Sequence, residues 1–304
     1  MRRDGTPTGA PASYAWELPP IRSSTLAPPP ELAARRASMG SLPRPTHPGV
    51  DIDDARYGDV PCVVCTPPRP RGTVLYLHGG GYRLGSAALF TAFAARLAAA
   101  TGARVVAADY RLAPEHPFPA APHDAARVYE RLLSECDVPP VVLGDSAGGG
   151  LGAALVVACA RSGMAVPSGL VLLSAWLDLR CAAGSYRSRA ATDQLFSHEA
   201  ARQAADQYLQ GHPADDPLAS PLLGDLRAFP PTLLCASTDE VLLDDSVAFA
   251  AALARAGVAT SASYVPGVPH AWPSVFLDLP ASAQALDVVA RFARPLLAKE
   301  PTAV

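Results

Sequence analysis

The chain has no apolar run long enough to cross a membrane. Its opening, M-R-R-D-G-T-P-T-G-A-P, is not followed by the apolar stretch of a secretory signal. Both absences lead to the expectation of a soluble, cytoplasmic protein without a membrane anchor. Charge is also scarce. Charged residues make up 17% and the formal net charge is −3, so no basic field favours nucleic acid or anionic lipid. There is no basic stripe, no zinc-finger spacing and no internal repeat. Cys62 and Cys65 form a C-x-x-C, but no second pair or histidine cluster accompanies them. They read as ordinary strand residues, and nothing in the sequence calls for a metal, a disulfide or an organic cofactor.

What is present is a globular composition. The chain has 304 residues, 49% of them hydrophobic, enough to bury a large core as one unit. Residues 1–50 are rich in Pro, Ala, Arg and Ser and read as an N-terminal cap segment, with a short helix near 31–39 between Pro30 and Gly40. Trp16, Leu18 and Ile21 are apolar enough to dock. From Val60 onward, short β-branched runs alternate with alanine-rich helical stretches. Strands are expected at 60–66, 73–78, 104–110, 140–144, 170–174, 232–236 and 262–265. Helices are expected at 87–100, 120–135, 147–161, 198–210, 244–256 and 282–298. Continuously apolar strands such as V-L-Y-L and V-V-L suit a parallel sheet buried on both faces. The alternation implies βαβ units and an α/β fold with helices on both sides of the sheet. Residues 180–222 are too long for one crossover and read as a cap insertion in a catalytic domain spanning 51–304.

Residues 144–148 read G-D-S-A-G, preceded by a strand and followed by an Ala/Gly/Leu helix. That is the context of a nucleophile elbow, with Ser146 at a helix N-terminus. Just after the strand T-V-L-Y-L comes H-G-G-G, 78–81. Its glycines permit a loop whose N–H groups face a cavity, so Gly80, Gly81 and Ala147 are the expected oxyanion donors. His78 is expected to hold that loop rather than act as a base. Of the seven histidines, only His270 follows the serine outside the inserted region, near the last strand. The chain order Ser, acid, His makes it the candidate base.

Together H-G-G-G-Y (78–82), D-Y-R-L-A-P-E-H-P-F-P-A (109–120) and G-D-S-A-G-G (144–149) resemble the hormone-sensitive-lipase-like esterases. S-P-L (220–222), F-P-P-T (229–232) and P-H (269–270) extend the resemblance over about 55–295. It implies an α/β-hydrolase fold with a mostly parallel central sheet and a helical cap. It also implies a serine esterase acting on small-molecule carboxylic esters with short or medium acyl chains, without cofactor or metal. The family motif D-P-L-x-D-E, set on Leu242 and Asp244, makes Glu240 rather than Asp239 the acid of a Ser146–His270–Glu240 triad. Asp239 then fixes the loop, and Asp244 and Asp245 cap the next helix. The resemblance further implies that Asp109, Arg111 and Glu115 bond to one another and to backbone beside the site.

Tyr82, Tyr186, Leu195, Phe196 and Trp272 are candidates to line the pocket, with plain core packing as the competing reading for each. Asp178 is a weaker candidate for the border of the site. Three alternatives stay open. One is a related acyl-transfer chemistry on the same residues: thioesterase, amidase, or lactone opening or closure. Another is a non-catalytic binding protein on a hydrolase scaffold, against which stand the intact serine, base and glycines. The third is a membrane-bound lipase, for which no anchor is visible. A homodimer is compatible with the chain.

Overall fold

The computed structural model describes residues 15–40 and 45–298. One eight-stranded sheet runs through it, in the order β1-β2-β4-β3-β5-β6-β7-β8. The strands are β1 (Asp51–Tyr57), β2 (Val60–Thr66), β3 (Thr73–Leu77), β4 (Arg104–Ala108), β5 (Val141–Asp145), β6 (Gly169–Leu173), β7 (Thr232–Ser237) and β8 (Thr260–Val265). The helices are α1 (Pro30–Gly40), α2 (Thr91–Thr101), α3 (Ala120–Glu135), α4 (Ala147–Arg161), α5 (Ser185–Ser188), α6 (His198–Leu209), α7 (Leu243–Arg255), α8 (Trp272–Val275) and α9 (Pro280–Ala293).

β1 and β2 pair antiparallel, and β2 joins β4 antiparallel. Every other pairing, from β4 through β8, is parallel. The central strands β3, β5 and β6 are buried along their whole length, which is why their sequences carry no polar alternation. Leu75, Leu77, Val142 and Leu172 pack on one face with residues of α3, α4 and α7. Val74, Tyr76, Val141, Leu143 and Val171 pack on the other, against α2 and α9. Cys62 and Cys65 fall into these two opposite clusters. Three residues apart on one strand, they point to opposite faces and cannot bridge or share a metal.

The parallel strands β3 to β8 end at the same edge, and the loops beyond it carry the chemistry. Two further pieces cover that edge. α1 packs there from the N-terminal segment, and the segment between β6 and β7 contributes α5, α6 and a short 3₁₀ turn at Pro221–Leu223. α1 is pinned by Arg36, whose guanidinium and Nε donate to Arg83 O (2.8 Å), Ala113 O (2.6 Å) and Glu115 Oε1 (2.6 Å). Trp16 docks further back, donating from its indole to Glu130 Oε2 at 3.0 Å. Among the described residues, no helix is long and apolar enough to cross a membrane.

Candidate active site

β5 delivers Ser146 to the top of the sheet. The chain reverses there from strand to helix, and Ser146 takes φ 51°, ψ −121°. A side-chain-bearing residue in such a conformation costs about 1–3 kcal/mol and persists only when its surroundings fix it. Here they do. Ser146 N–H donates to Leu173 O at 2.9 Å, and Ser146 O accepts from Gly149 N, Gly150 N and Trp176 N at 3.0, 3.2 and 2.9 Å. The tight turn also explains the flanking glycines. A Cβ on Gly148 would stand 2.0 Å from Leu77 O, and one on Gly144 would stand 2.2 Å from Gly148 O.

The loop after β8 returns His270 to this serine. His270 Nε2 lies 2.9 Å from Ser146 Oγ, and Nδ1 lies 2.9 Å from Glu240 Oε2. A carboxylate can only accept, so the proton belongs on Nδ1 and Nε2 is left as an acceptor for the serine hydroxyl. Glu240 is wholly buried in the loop after β7. Burial works against a charged imidazole. The hydrogen bond and charge of Glu240, with the more distant charges of Asp193 and Asp145, outweigh it and raise the His270 pKa above its ordinary 6.5.

Asp239 takes a different direction. Its Oδ2 accepts from Gly267 N at 2.8 Å, and its carbonyl accepts from Thr192 Oγ1 at 2.8 Å. The acid loop has a second tether, which the sequence reading did not find. Asp193 accepts from Val241 N with one oxygen and from Leu195 N and Phe196 N with the other. One carboxylate thus joins the inserted segment to the loop that holds Glu240.

The glycine loop follows β3. Gly80 and Gly81 adopt φ 122° and 61°, backbone that favours glycine. Their N–H groups and that of Ala147, first residue of α4, have no protein acceptor among the described residues. Gly79 N–H is taken by Asp145 Oδ1 at 3.0 Å, and the same oxygen accepts the Tyr76 hydroxyl at 2.6 Å. Asp145, the variable residue of G-x-S-x-G, therefore anchors the glycine loop to the elbow. Its burial raises its own pKa. His78 lies between the rings of Phe90 and Tyr110, centroids 5.7 and 4.4 Å away, and donates from Nδ1 to Gly79 O at 2.8 Å. Burial lowers its pKa and keeps it neutral.

Ser146, His270, Gly80 and Gly81 open together into a cavity of about 510 Å³. This is an ordinary size for a small-molecule site. Its apolar wall includes Met39 of α1, Leu84, Phe90, Phe93, Phe196 and Leu277.

The matching model in a scan of protein families is described as the alpha/beta hydrolase fold and covers residues 74–274. An acetyl-hydrolase of Streptomyces hygroscopicus is 40% identical over 225 residues, 73% of this chain and 75% of that protein. An esterase of Acinetobacter venetianus is 35% identical over 226 residues, 73% and 75% of the two chains. Among solved structures, an esterase from the bacterial hormone-sensitive lipase family superposes with a TM-score of 0.80 at 33% identity, covering 90% of this chain and all of that one. This chain belongs to the α/β-hydrolase family, among the hormone-sensitive-lipase-like esterases.

The esterase cavity receives some of the expected lining residues and not others. Phe196 stands in its wall, ring centroid 5.8 Å from that of His270, and Leu195 lies beside it, half exposed. Tyr82 is not in the wall. Its backbone has φ 59°, and its ring stacks on Tyr208, centroids 3.9 Å apart, inside the core. Tyr186 is buried beside His198, and Trp272 is buried with its indole donating to Ala281 O, so neither reaches the cavity. Asp178 pairs with Arg180 and also stays out of the wall.

Four carboxylates and an arginine bond differently from the expectation. Asp109, Arg111 and Glu115 do not bond to one another. Asp109 accepts from Ala87 N, Arg111 forks onto Asp124, and Glu115 pairs with Arg36. The loop after β4 spreads them along its length, so each meets a different neighbour. Asp244 and Asp245 do not cap α7: its N-cap residue Leu242 makes no side-chain cap bond, and the Asp244 N–H goes to Ser185 Oγ at 3.2 Å. Asp244 accepts from Ser185 N, and Asp245 accepts from Leu177 N and Asp178 N, holding the root of the inserted segment. Burial, opposed by those two backbone bonds, pushes the Asp245 carboxyl up to about 8.

Proposed function

We propose that this chain hydrolyses carboxylic esters of short and medium acyl chains through an acyl-enzyme on Ser146. His270 Nε2 takes the Ser146 proton as Oγ attacks the ester carbonyl carbon. The carbonyl oxygen becomes an oxyanion and accepts hydrogen bonds from the N–H groups of Gly80, Gly81 and Ala147. One such donor is worth roughly 10²–10³ in kcat. Glu240 remains ionised, holds Nδ1–H and stabilises the imidazolium. Collapse of the intermediate breaks the bond to the alkoxide, which leaves with the proton from Nε2. A water then gives its proton to His270 and its oxygen to the acyl carbon, and Ser146 is released with its proton restored. Every atom that moves belongs to these groups, the ester or water.

The observation that carries this reading is the hydrogen-bonded row Glu240–His270–Ser146, 2.9 Å at each step, at the floor of a cavity that also holds free glycine N–H groups. The acetyl-hydrolase among the relatives supports a small acyl group. The test is release of p-nitrophenol from acetate, butyrate and octanoate esters by the wild type and Ser146→Ala. Activity should be highest on the shorter esters and drop roughly 10⁴–10⁶-fold in the variant. Equal rates for the two proteins would refute the proposal.

A further inference from the structure

Two guanidinium groups stand in the wall of the ester cavity. Arg83 follows the glycine loop, and Arg35 comes from α1. A guanidinium keeps its charge at every working pH. Next to them, Arg36 is compensated by Glu115 at 2.6 Å. Arg35 and Arg83 are not: among the described residues, no carboxylate lies within ion-pair distance of either. Arg83 Nη1 reaches the amide oxygens of Gln203 and Gln207 on α6, at 3.4 and 3.2 Å, and its Nε is buried with no acceptor.

The two glutamines sit one helical turn apart, so neutral amides orient this guanidinium without cancelling its charge. Asp145, the one carboxylate in the wall among the described residues, is occupied beneath the loop by Tyr76 and Gly79. Burial, then the neighbouring charges of Arg35 and Arg36, lower the Arg83 pKa. Burial is the larger cause, and the two neighbouring cations add to it.

We propose that Arg83 and Arg35 form an anion subsite, so that the preferred substrates are carboxylic esters bearing a second, carboxylate-type group separated from the scissile carbonyl by an apolar spacer. This rests on the esterase reading of Ser146 and narrows its substrate class. A carboxylate in the cavity would accept charge-assisted hydrogen bonds from the guanidinium N–H groups of Arg83 and Arg35, which no protein carboxylate occupies among the described residues. A neutral alkyl end would offer these two cations no counter-charge, so the site should discriminate against it. Phe90, Phe93 and Leu277 supply the apolar path for the spacer.

The experiment compares kcat/KM in two matched series at low ionic strength. One sets monomethyl esters of dicarboxylic acids, glutarate to suberate, against methyl esters of monocarboxylic acids of equal carbon number. The other sets acetyl esters of ω-hydroxy acids against acetyl esters of the matching alkanols. The first places the anion on the acyl side and the second on the alcohol side. In at least one series the anionic ester should exceed its neutral partner by about tenfold. The advantage should shrink with added salt. Arg83→Gln and Arg35→Gln should each lower the anionic-to-neutral ratio, and the double variant should bring it near one. Neutral esters preferred throughout, or a ratio unmoved in the double variant, would overturn the subsite while leaving the esterase reading intact. Absence of turnover of every ester would overturn both. The wild-type ratio needs no mutation, so a poorly folding variant cannot mask the answer.

Discussion

Replacing Glu240 by Gln keeps the size of the acid and removes its charge. Glu240 Oε2 lies 2.9 Å from His270 Nδ1, with the two side chains 0% and 9% exposed, so solvent does little to replace the lost interaction. The imidazolium formed in the transition state then loses its counter-charge, and Nδ1–H loses a charge-assisted acceptor. Loss of the acid in a triad of this kind costs about 10⁴ in kcat, or roughly 5 kcal/mol of barrier. Glu240→Asp retracts the carboxylate by about 1.5 Å, and a misplacement of that size costs about 10²-fold. Asp239→Asn keeps an amide oxygen for Gly267 N–H and should cost less than about threefold. The pH profile adds a sign. His270 acts as a base only when neutral, and its pKa is raised above 6.5, so the acidic limb of kcat/KM should stand above that value in the wild type. Glu240→Gln removes the groups' largest raising influence and leaves burial, so the limb should move to lower pH. The assay is hydrolysis of p-nitrophenyl acetate from about pH 5 to 9, with melting temperatures as the check on folding. A greater loss in Asp239→Asn than in Glu240→Gln, or a limb that does not move, would refute the assignment of the acid.

Other consequences follow from single contacts. Arg36→Ala removes three bonds that hold α1 to the loops around Arg83 and Ala113. It should lower stability by about 2–3 kcal/mol in urea unfolding, raise KM and expose α1 to limited proteolysis. Gly148→Ala drives a Cβ to 2.0 Å from Leu77 O, backbone that cannot step aside. It should lower the unfolding free energy by about 3 kcal/mol and abolish turnover, whereas Gly163→Ala, with open space around it but φ 64°, should cost only about 1 kcal/mol and keep most activity. Asp245 titrates near 8 when folded against 3.8 as a free side chain. Its contribution to stability is complete below about pH 4 and is lost as pH rises towards 8. Asp245→Asn removes that dependence, so the melting temperature of the variant relative to wild type should climb between pH 4 and 8, and a flat difference would count against the buried, largely neutral acid.

The sequence was most legible where local chemistry leaves little choice. α3 and α4 span 120–135 and 147–161, the ranges expected from the alanine-rich patterns beside Pro119 and the elbow. β1 was missed because D-I-D-D-A-R-Y has almost no apolar face. It is an outer strand, solvent-exposed along most of its length, and its pairing with β2 supplies the order that its side chains do not. α5 and α8 were missed because four residues carry too little periodicity. At the site, Ser146 and His270 followed from motif and chain order, and Glu240 was reached through a family motif. The cavity wall was least legible. Its residues come from α1, the glycine loop, α2, the inserted segment and the loop of His270, and no spacing within any one of them announces the assembly. Tyr82 shows why an aromatic near a motif is weak evidence of lining, since one left-handed backbone angle turns its ring into the core. Asp145 and Asp193 were overlooked because they act through backbone N–H groups that only the fold brings to them.

A nucleophilic Ser146 activated by His270 should react with a fluorophosphonate ester, and peptide mass spectrometry locates the adduct. One phosphonyl group per chain is expected, on Ser146, with esterase activity lost in proportion to labelling and no labelling in Ser146→Ala or His270→Ala. Stoichiometric labelling at another residue, or full ester turnover by protein labelled at Ser146, would contradict it.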